Sequence, residues 1–293
     1  MTQKTSPTFL KPRNNLIFKR LFGTEKNTDI LIGLLTSVLS IPKEELEGIT
    51  ILNPETTIEK ENDKRGILDL FLHTKCKDTI HVELQVDEDP SMRSRLLFYV
   101  SKKYGDQLIS GDDYDELKRM TSILITGFEL TESSDYHNVY KLINIKTGEM
   151  FSEDLEIHTL EYKKLPVEED GSTKYNWLKF IKAESMEELE MLKDKDEAIF
   201  KAIEALELLS QDPRMRIEYD ARERDRMRQV TNERIFRERA QAEGHAAGHA
   251  VGLEEGANEK AVVMVKKLVD KGMSLMEALE IAELSEEDFN NIT

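Results

Sequence analysis

The chain has 293 residues, 39% of them hydrophobic and 34% charged, which is enough to bury a sizeable core in one main domain with an appendage. No apolar run reaches the roughly 18 residues of a membrane span, and the opening MTQKTSPTFLKPRNN lacks the apolar segment of a secretory signal, so a cytoplasmic location is expected. The lone Cys76 excludes an internal disulfide and a cysteine metal cluster, and a net charge of −17 argues against broad, nonspecific affinity for nucleic acid.

The charge is unevenly spread. The first twenty residues hold Lys4, Lys11, Arg13, Lys19 and Arg20 with no acid, so a locally basic cleft is compatible with an acidic whole. Residues 14–40 read as two helices. The first carries Leu16, Ile17, Leu21 and Phe22, with Gly23 placed to close it. The second carries Ile30, Leu31, Leu34, Leu35, Val38 and Leu39 at helical spacing. A short strand is expected at 49–52.

Residues 67–86 (ILDLFLHTKCKDTIHVELQV) read as two strands joined by a polar turn. Ile67, Asp69 and Phe71 share one face of the first strand, and Leu68, Leu70 and Leu72 the other. In the second, Ile80, Val82, Leu84 and Val86 oppose His81, Glu83 and Gln85. A carboxylate inside an apolar strand is costly unless something compensates it, and a divalent metal would. The hairpin sets Asp69 and Glu83 on adjacent strands with Gln85 on the face of Glu83, which makes one metal-binding corner. The competing reading is a strand-end salt bridge for Asp69 and a solvated sheet face for Glu83 and Gln85.

An amphipathic helix follows at 91–109, carrying Arg93, Arg95, Lys102 and Lys103 and ended by Gly111. The near-continuous apolar run 121–130 fits a central strand. Further strands are expected at 137–145 and 155–164, with Thr147 and Gly148 in the turn after the first of them. Helix, strand, hairpin, helix, strand predicts an α/β core with a mixed sheet. Tyr99, Tyr104 and Tyr114 read as structural residues rather than base-stacking ones.

After Pro166 the character changes. Residues 174–210 read as helical, with Trp177 and Phe180 packing on the core. From Asp212 a highly charged helix begins, with Glu218 and Asp220 four residues before Arg222 and Arg224. Its interleaved acids point to a solvated or partner-facing helix. Gly244, Gly248, Gly252 and Gly256 recur every fourth residue. Each costs a helix about 0.5–1 kcal/mol relative to alanine, so two readings stand, close helix–helix contact or a flexible linker. His245 and His249 have metal-compatible spacing, but nothing completes a site. The tail reads as short helices in a helix-turn-helix-like outline. Gly272 closes one, and Ser274 with Glu277 and Ser285 with Asp288 open the next two. The last is acidic, which suits packing or oligomerisation better than a DNA groove.

These residues resemble a family, the Rpn recombination-promoting nucleases, also described as PD-(D/E)XK-type transposases. The resemblance runs from about residue 10 to 185. It rests on NNLIFKRLFG, the LDL strand with Asp69, the VELQV strand, Arg95 with Tyr99, then Gln107, Gly111 and Tyr114, and LEIHTLEYKKLP. It implies a restriction-endonuclease-like α/β core in residues 1–185. A charged helical region (186–257) and a small helical tail (258–293) form an all-helical extension. The implied activity is metal-dependent DNA endonuclease chemistry linked to recombination or mobile elements.

By position, the resemblance assigns Asp69 and Glu83 to Mg²⁺, with Mn²⁺ able to substitute and the main-chain carbonyl of Leu84 as a further ligand. Gln85 stands where the superfamily has a lysine. It can orient the attacking water but adds no positive charge. Many members have an acid in the position of Asn15, whose amide oxygen carries no charge. Lys19, Arg93, Arg95, Lys102 and Lys103 are the expected DNA contacts. Asn15, Gln85, the net charge and the glycine-striped helix also support a second reading, a catalytically weak nuclease fold acting as an assembly module, homo-oligomeric through its helical C-terminus. A DNA-binding regulator using the tail is a third.

Overall fold

The computed structural model of the chain describes residues 9–52 and 70–292. Two compact units divide it, Met1–Asp225 and Arg226–Thr293.

The first unit is built on a six-stranded mixed sheet. Its strands are β1 (Thr50–Ile51), β2 (Leu70–His73), β3 (Thr79–Gln85), β4 (Met120–Thr126), β5 (His137–Ile143) and β6 (Met150–Glu161), in the order β1-β2-β3-β4-β6-β5. β3, β4 and β6 run parallel and the outer pairs antiparallel. The expected α/β core with a mixed sheet is thus present. β2 and β3 form the expected hairpin from Leu70 onward, and the part of that expectation resting on residues 67–69 falls outside the described residues.

Alternation along the central strands gives the sheet two apolar faces. Ile80, Val82, Leu84, Ile123, Ile125 and Leu160 enter the main core with α1 (Asn15–Phe22), α2 (Thr28–Leu39) and α5 (Thr173–Lys182). Trp177 and Phe180 are fully buried there, as expected. The opposite face carries Leu124 and Met120 against Met92, Leu96 and Val100 of α4 (Met92–Gly105). Gly33 in α2 sits at a close contact between helices. A Cβ there would meet the Ala198 Cβ of α7 (Glu197–Gln211) at 2.4 Å.

Several boundaries differ from the sequence reading. Helix α4 stops at Gly105, ahead of Gly111, whose φ of 106° places it in a following turn. β4 ends at Thr126, ahead of Gly127, and β6 begins earlier than expected, at Met150. The stretch 174–210 is three helices, α5, α6 (Met186–Glu190) and α7. Ala183 turns extended after α5, and Ser185 and Asp196 cap the next two starts by accepting from backbone amides. Short α3 (Lys43–Leu46) precedes β1. Residues Leu189, Ile199, Ile203, Leu206, Met215 and Tyr219 pack into the main core, so it continues beyond residue 185.

Helix α8 runs from Pro213 to Asp270 and crosses the boundary between the units. Gly244, Gly248, Gly252 and Gly256 lie inside it, so the segment is helix, with open space where each Cβ would be. In the second unit Val262 and Val265 of α8 pack on Ala278, Leu279 and Leu284 around α9 (Leu275–Ile281) and α10 (Glu286–Ile292). Ser274 and Glu277 form the expected capping box.

Candidate active site

A strand buried on both faces has no solvent to spend on a charge, and β3 carries Glu83 at 7% exposure. Because β3 alternates, His81, Glu83 and Gln85 lie on the face covered by α4. Arg95 of α4 supplies the compensating charge. Its Nη2 donates to Glu83 Oε1 at 2.8 Å and to Gln85 Oε1 at 3.0 Å, and its Nη1 donates to Asp89 Oδ2 at 2.7 Å. Asp89 is held at the start of α4, accepting from the Ser91 amide at 2.8 Å and hydroxyl at 2.6 Å. The Gln85 amide is fixed at its other end, where Nε2 donates to the Asp87 carbonyl at 2.9 Å. One guanidinium therefore joins two carboxylates and an amide oxygen, a charge-assisted arrangement matched to its fork.

Residues paired across neighbouring strands share a face. Gln85 is in register with Thr126, and Thr126 with Glu161. This row closes the C-terminal edge of the parallel strands. Glu161 is fully buried and accepts from the Leu130 amide at 2.7 Å, the Thr131 amide at 3.3 Å and the Thr131 hydroxyl at 2.6 Å, while pairing with Lys164 at 2.6 Å. Burial pushes its carboxyl up, but the bonds from Lys164, Thr131 and the two amides together outweigh it and hold it below the ordinary value. Arg93 donates to the Leu130 carbonyl at 3.0 Å, tying α4 to the same loop. Gly127 allows the close passage here, since a Cβ would meet the Tyr162 hydroxyl at 2.4 Å and the Val86 carbonyl at 2.5 Å.

The other expected site residues are dispersed. Asp69 lies outside the described residues. Leu84 points into the main core. Lys19 is in the last turn of α1, partly buried. Asn15 opens α1, whose buried side chains join the core on the face of Ile80 and Val82, and its Oδ1 is buried without a hydrogen-bond partner. Lys102 and Lys103 are exposed at the end of α4, where Lys103 Nζ sits 5.1 Å from the Phe71 ring centre and Phe71 stacks on His81. Tyr104 donates to Asp154 at 3.1 Å, and Tyr114 is exposed.

Asp89 was not foreseen, and no sequence signal marks it. Nor was a chain on the other face of the sheet. Lys174 Nζ, a donor only, lies 2.9 Å from His137 Nδ1, which must accept. His137 Nε2 then donates to His158 Nδ1 at 2.9 Å, and His158 Nε2 donates to Glu156 at 2.6 Å. Burial, then Lys174 and His158, push His137 down to about 4. Burial likewise lowers His158. His245 and His249 are exposed on α8.

The geometry defines an α/β protein with a polar site on a buried central strand, faced by an arginine-bearing helix. A family model described as PD-(D/E)XK nuclease family transposase matches residues 12–232, and the chain belongs to that family. Comparison with curated proteins and with solved structures returns no match. The sheet, its flanking helices and the long C-terminal helix are this family's fold in the present chain.

Nucleases of the PD-(D/E)XK kind generally use divalent metal ions. The donors offered here, the Glu83 carboxylate beside the Leu84 strand carbonyl, are hard oxygens that suit such a cation. Among the described residues no three His, Cys, Asp or Glu side chains cluster as a metal site. No helix among the described residues is long and apolar enough to cross a membrane.

Proposed function

We propose that this chain is a divalent-metal-dependent DNA endonuclease, using Mg²⁺ with Mn²⁺ able to substitute, in recombination or mobile-element biology. The observation that carries the reading is the placement of Glu83 and Gln85 on one face of buried β3, against a charged helix. Glu83, Asp69 and the Leu84 carbonyl would hold the cation. When bound, the cation supplies a more acidic water and offsets charge growing on the phosphate. Gln85, fixed by the Asp87 carbonyl, presents its amide oxygen to orient the attacking water. Lys19, Arg93, Arg95, Lys102 and Lys103 would face the DNA backbone.

The test is cleavage of supercoiled plasmid by the full chain with Mg²⁺, Mn²⁺, Ca²⁺ or EDTA, beside Glu83→Ala. Cutting that requires Mg²⁺ or Mn²⁺ and is lost in the variant supports the reading. Cutting that is unchanged in Glu83→Ala overturns the assignment.

A second reading, an assembly module that is homo-oligomeric through the helical C-terminus, is favoured by α8. Among the described residues, nothing beyond α8's own backbone lies within 4 Å of where a Cβ would stand at its four spaced glycines, and Phe236, Val251 and Leu253 are exposed along it.

A further inference from the structure

We propose that Arg95 is a phosphate ligand that guards the metal position, so that DNA and metal enter the site together. The inference rests on the reading that Glu83 ligates the cation. In the free protein the guanidinium holds Glu83 Oε1 at 2.8 Å. A divalent cation brought to that carboxylate meets a positive charge already bonded to it, and the two repel across a partly buried interface. The guanidinium has somewhere to go. Its side chain is 24% exposed, its hold on β3 is a single Nη2 shared between Glu83 and Gln85, and its stem leaves a helix rather than the sheet.

A DNA phosphate offers the same fork geometry as a carboxylate and carries the charge that Glu83 would give to the metal. When Arg95 turns to phosphate, Glu83 and the Gln85 amide oxygen are released together, one for the cation and the other for the water. Asp89 keeps the guanidinium anchored at the start of α4 through Nη1 during the exchange. The swap also supplies beside the scissile group the positive charge that Gln85 lacks.

Binding linkage makes this measurable without cleavage, because two ligands that help each other do so by the same factor in both directions. The experiment is Mn²⁺ titration by calorimetry of the full chain, alone and with a short DNA duplex of phosphorothioate backbone, for the native protein, Arg95→Gln, Arg95→Lys and Glu83→Gln. Circular dichroism checks that each is folded. Arg95→Gln is expected to bind Mn²⁺ about tenfold more tightly without DNA and to lose the gain that DNA gives the native protein. Arg95→Lys, which keeps the charge but cannot span Glu83 and Asp89, is expected to shift the same way by less, and it carries the test if Arg95→Gln does not fold. Mn²⁺ affinity equal to or weaker than native in the folded arginine variants overturns the guard. Mn²⁺ affinity unchanged in Glu83→Gln overturns the underlying reading of Glu83 instead.

Discussion

Two buried carboxylates in one sheet are compensated in opposite ways, and this separates scaffold from site. Glu161 is saturated by two amides, a hydroxyl and Lys164, whose own ammonium also donates to the Thr131 and Ser133 carbonyls at 2.6 and 2.7 Å. Glu161→Gln removes one side of a buried pair, and we expect a loss of about 3–5 kcal/mol in urea unfolding. Glu83 leans on a cation that keeps Asp89 when it lets go. Glu83→Gln should therefore cost only about 1–2 kcal/mol while removing metal-dependent cleavage. A loss as large as that of Glu161→Gln would identify Glu83 as scaffold. The alternation of β3 made the shared face of Glu83 and Gln85 legible in the sequence. The inward turn of Arg95 was not legible, because it depends on the angle at which α4 crosses the sheet.

The histidine chain belongs to the same scale. His137 has an ordinary value of 6.5 and sits at about 4 in the fold, so between these values the unfolded chain binds more protons than the folded one. Its contribution is complete above the ordinary value and falls away as the pH drops toward the lower one. Half-buried as it is, it is worth about 1–2 kcal/mol after solvent screening. Lys174→Met takes away a positive neighbour, so the His137 titration followed by NMR should move up and the acid loss of stability should shrink. Neither histidine was singled out from the sequence, since they are 21 positions apart and meet only through the pairing of β5 with β6, which sets His158 opposite Val139.

At the scale of elements, glycine spacing and glycine function part company. The four-residue repeat in α8 is conspicuous in the sequence, yet each position is open, whereas unremarked Gly33 lies where α2 meets α7. Gly33→Ala should destabilise the first unit by about 1–3 kcal/mol through overpacking. Gly248→Ala should instead strengthen α8 by about 0.5–1 kcal/mol in thermal unfolding of a monomer. If the stripe seats a second copy, the same substitution weakens association measured by light scattering. Periodicity showed that α8 repeats. It does not show what lies across from the repeat, which is a property of packing and not of the helix.

At the scale of the molecule, the core of the first unit reaches through α7 into the start of α8, and the family match reaches residue 232. A chain ending there is expected to unfold cooperatively by circular dichroism with its cleavage retained, whereas one ending at 185 loses Ile199, Ile203 and Leu206 from the core and should not fold. Composition made the change of character after Pro166 legible. It could not place the end of the core, because α7 reads as amphipathic whether it packs on the sheet or on a partner.

Gly127 ties the ends of three strands at one point, where Val86 after β3, β4 itself and Tyr162 after β6 crowd together. β6 also stands between β4 and β5 in the sheet, although β5 is made first. A growing chain on the ribosome therefore holds Glu83 and Arg95 long before the strand that buttresses their neighbours has been translated. The frame around Glu83 and Arg95 is complete only once residue 162 has emerged, so incomplete translation products carry the candidate site without the strand that buttresses it.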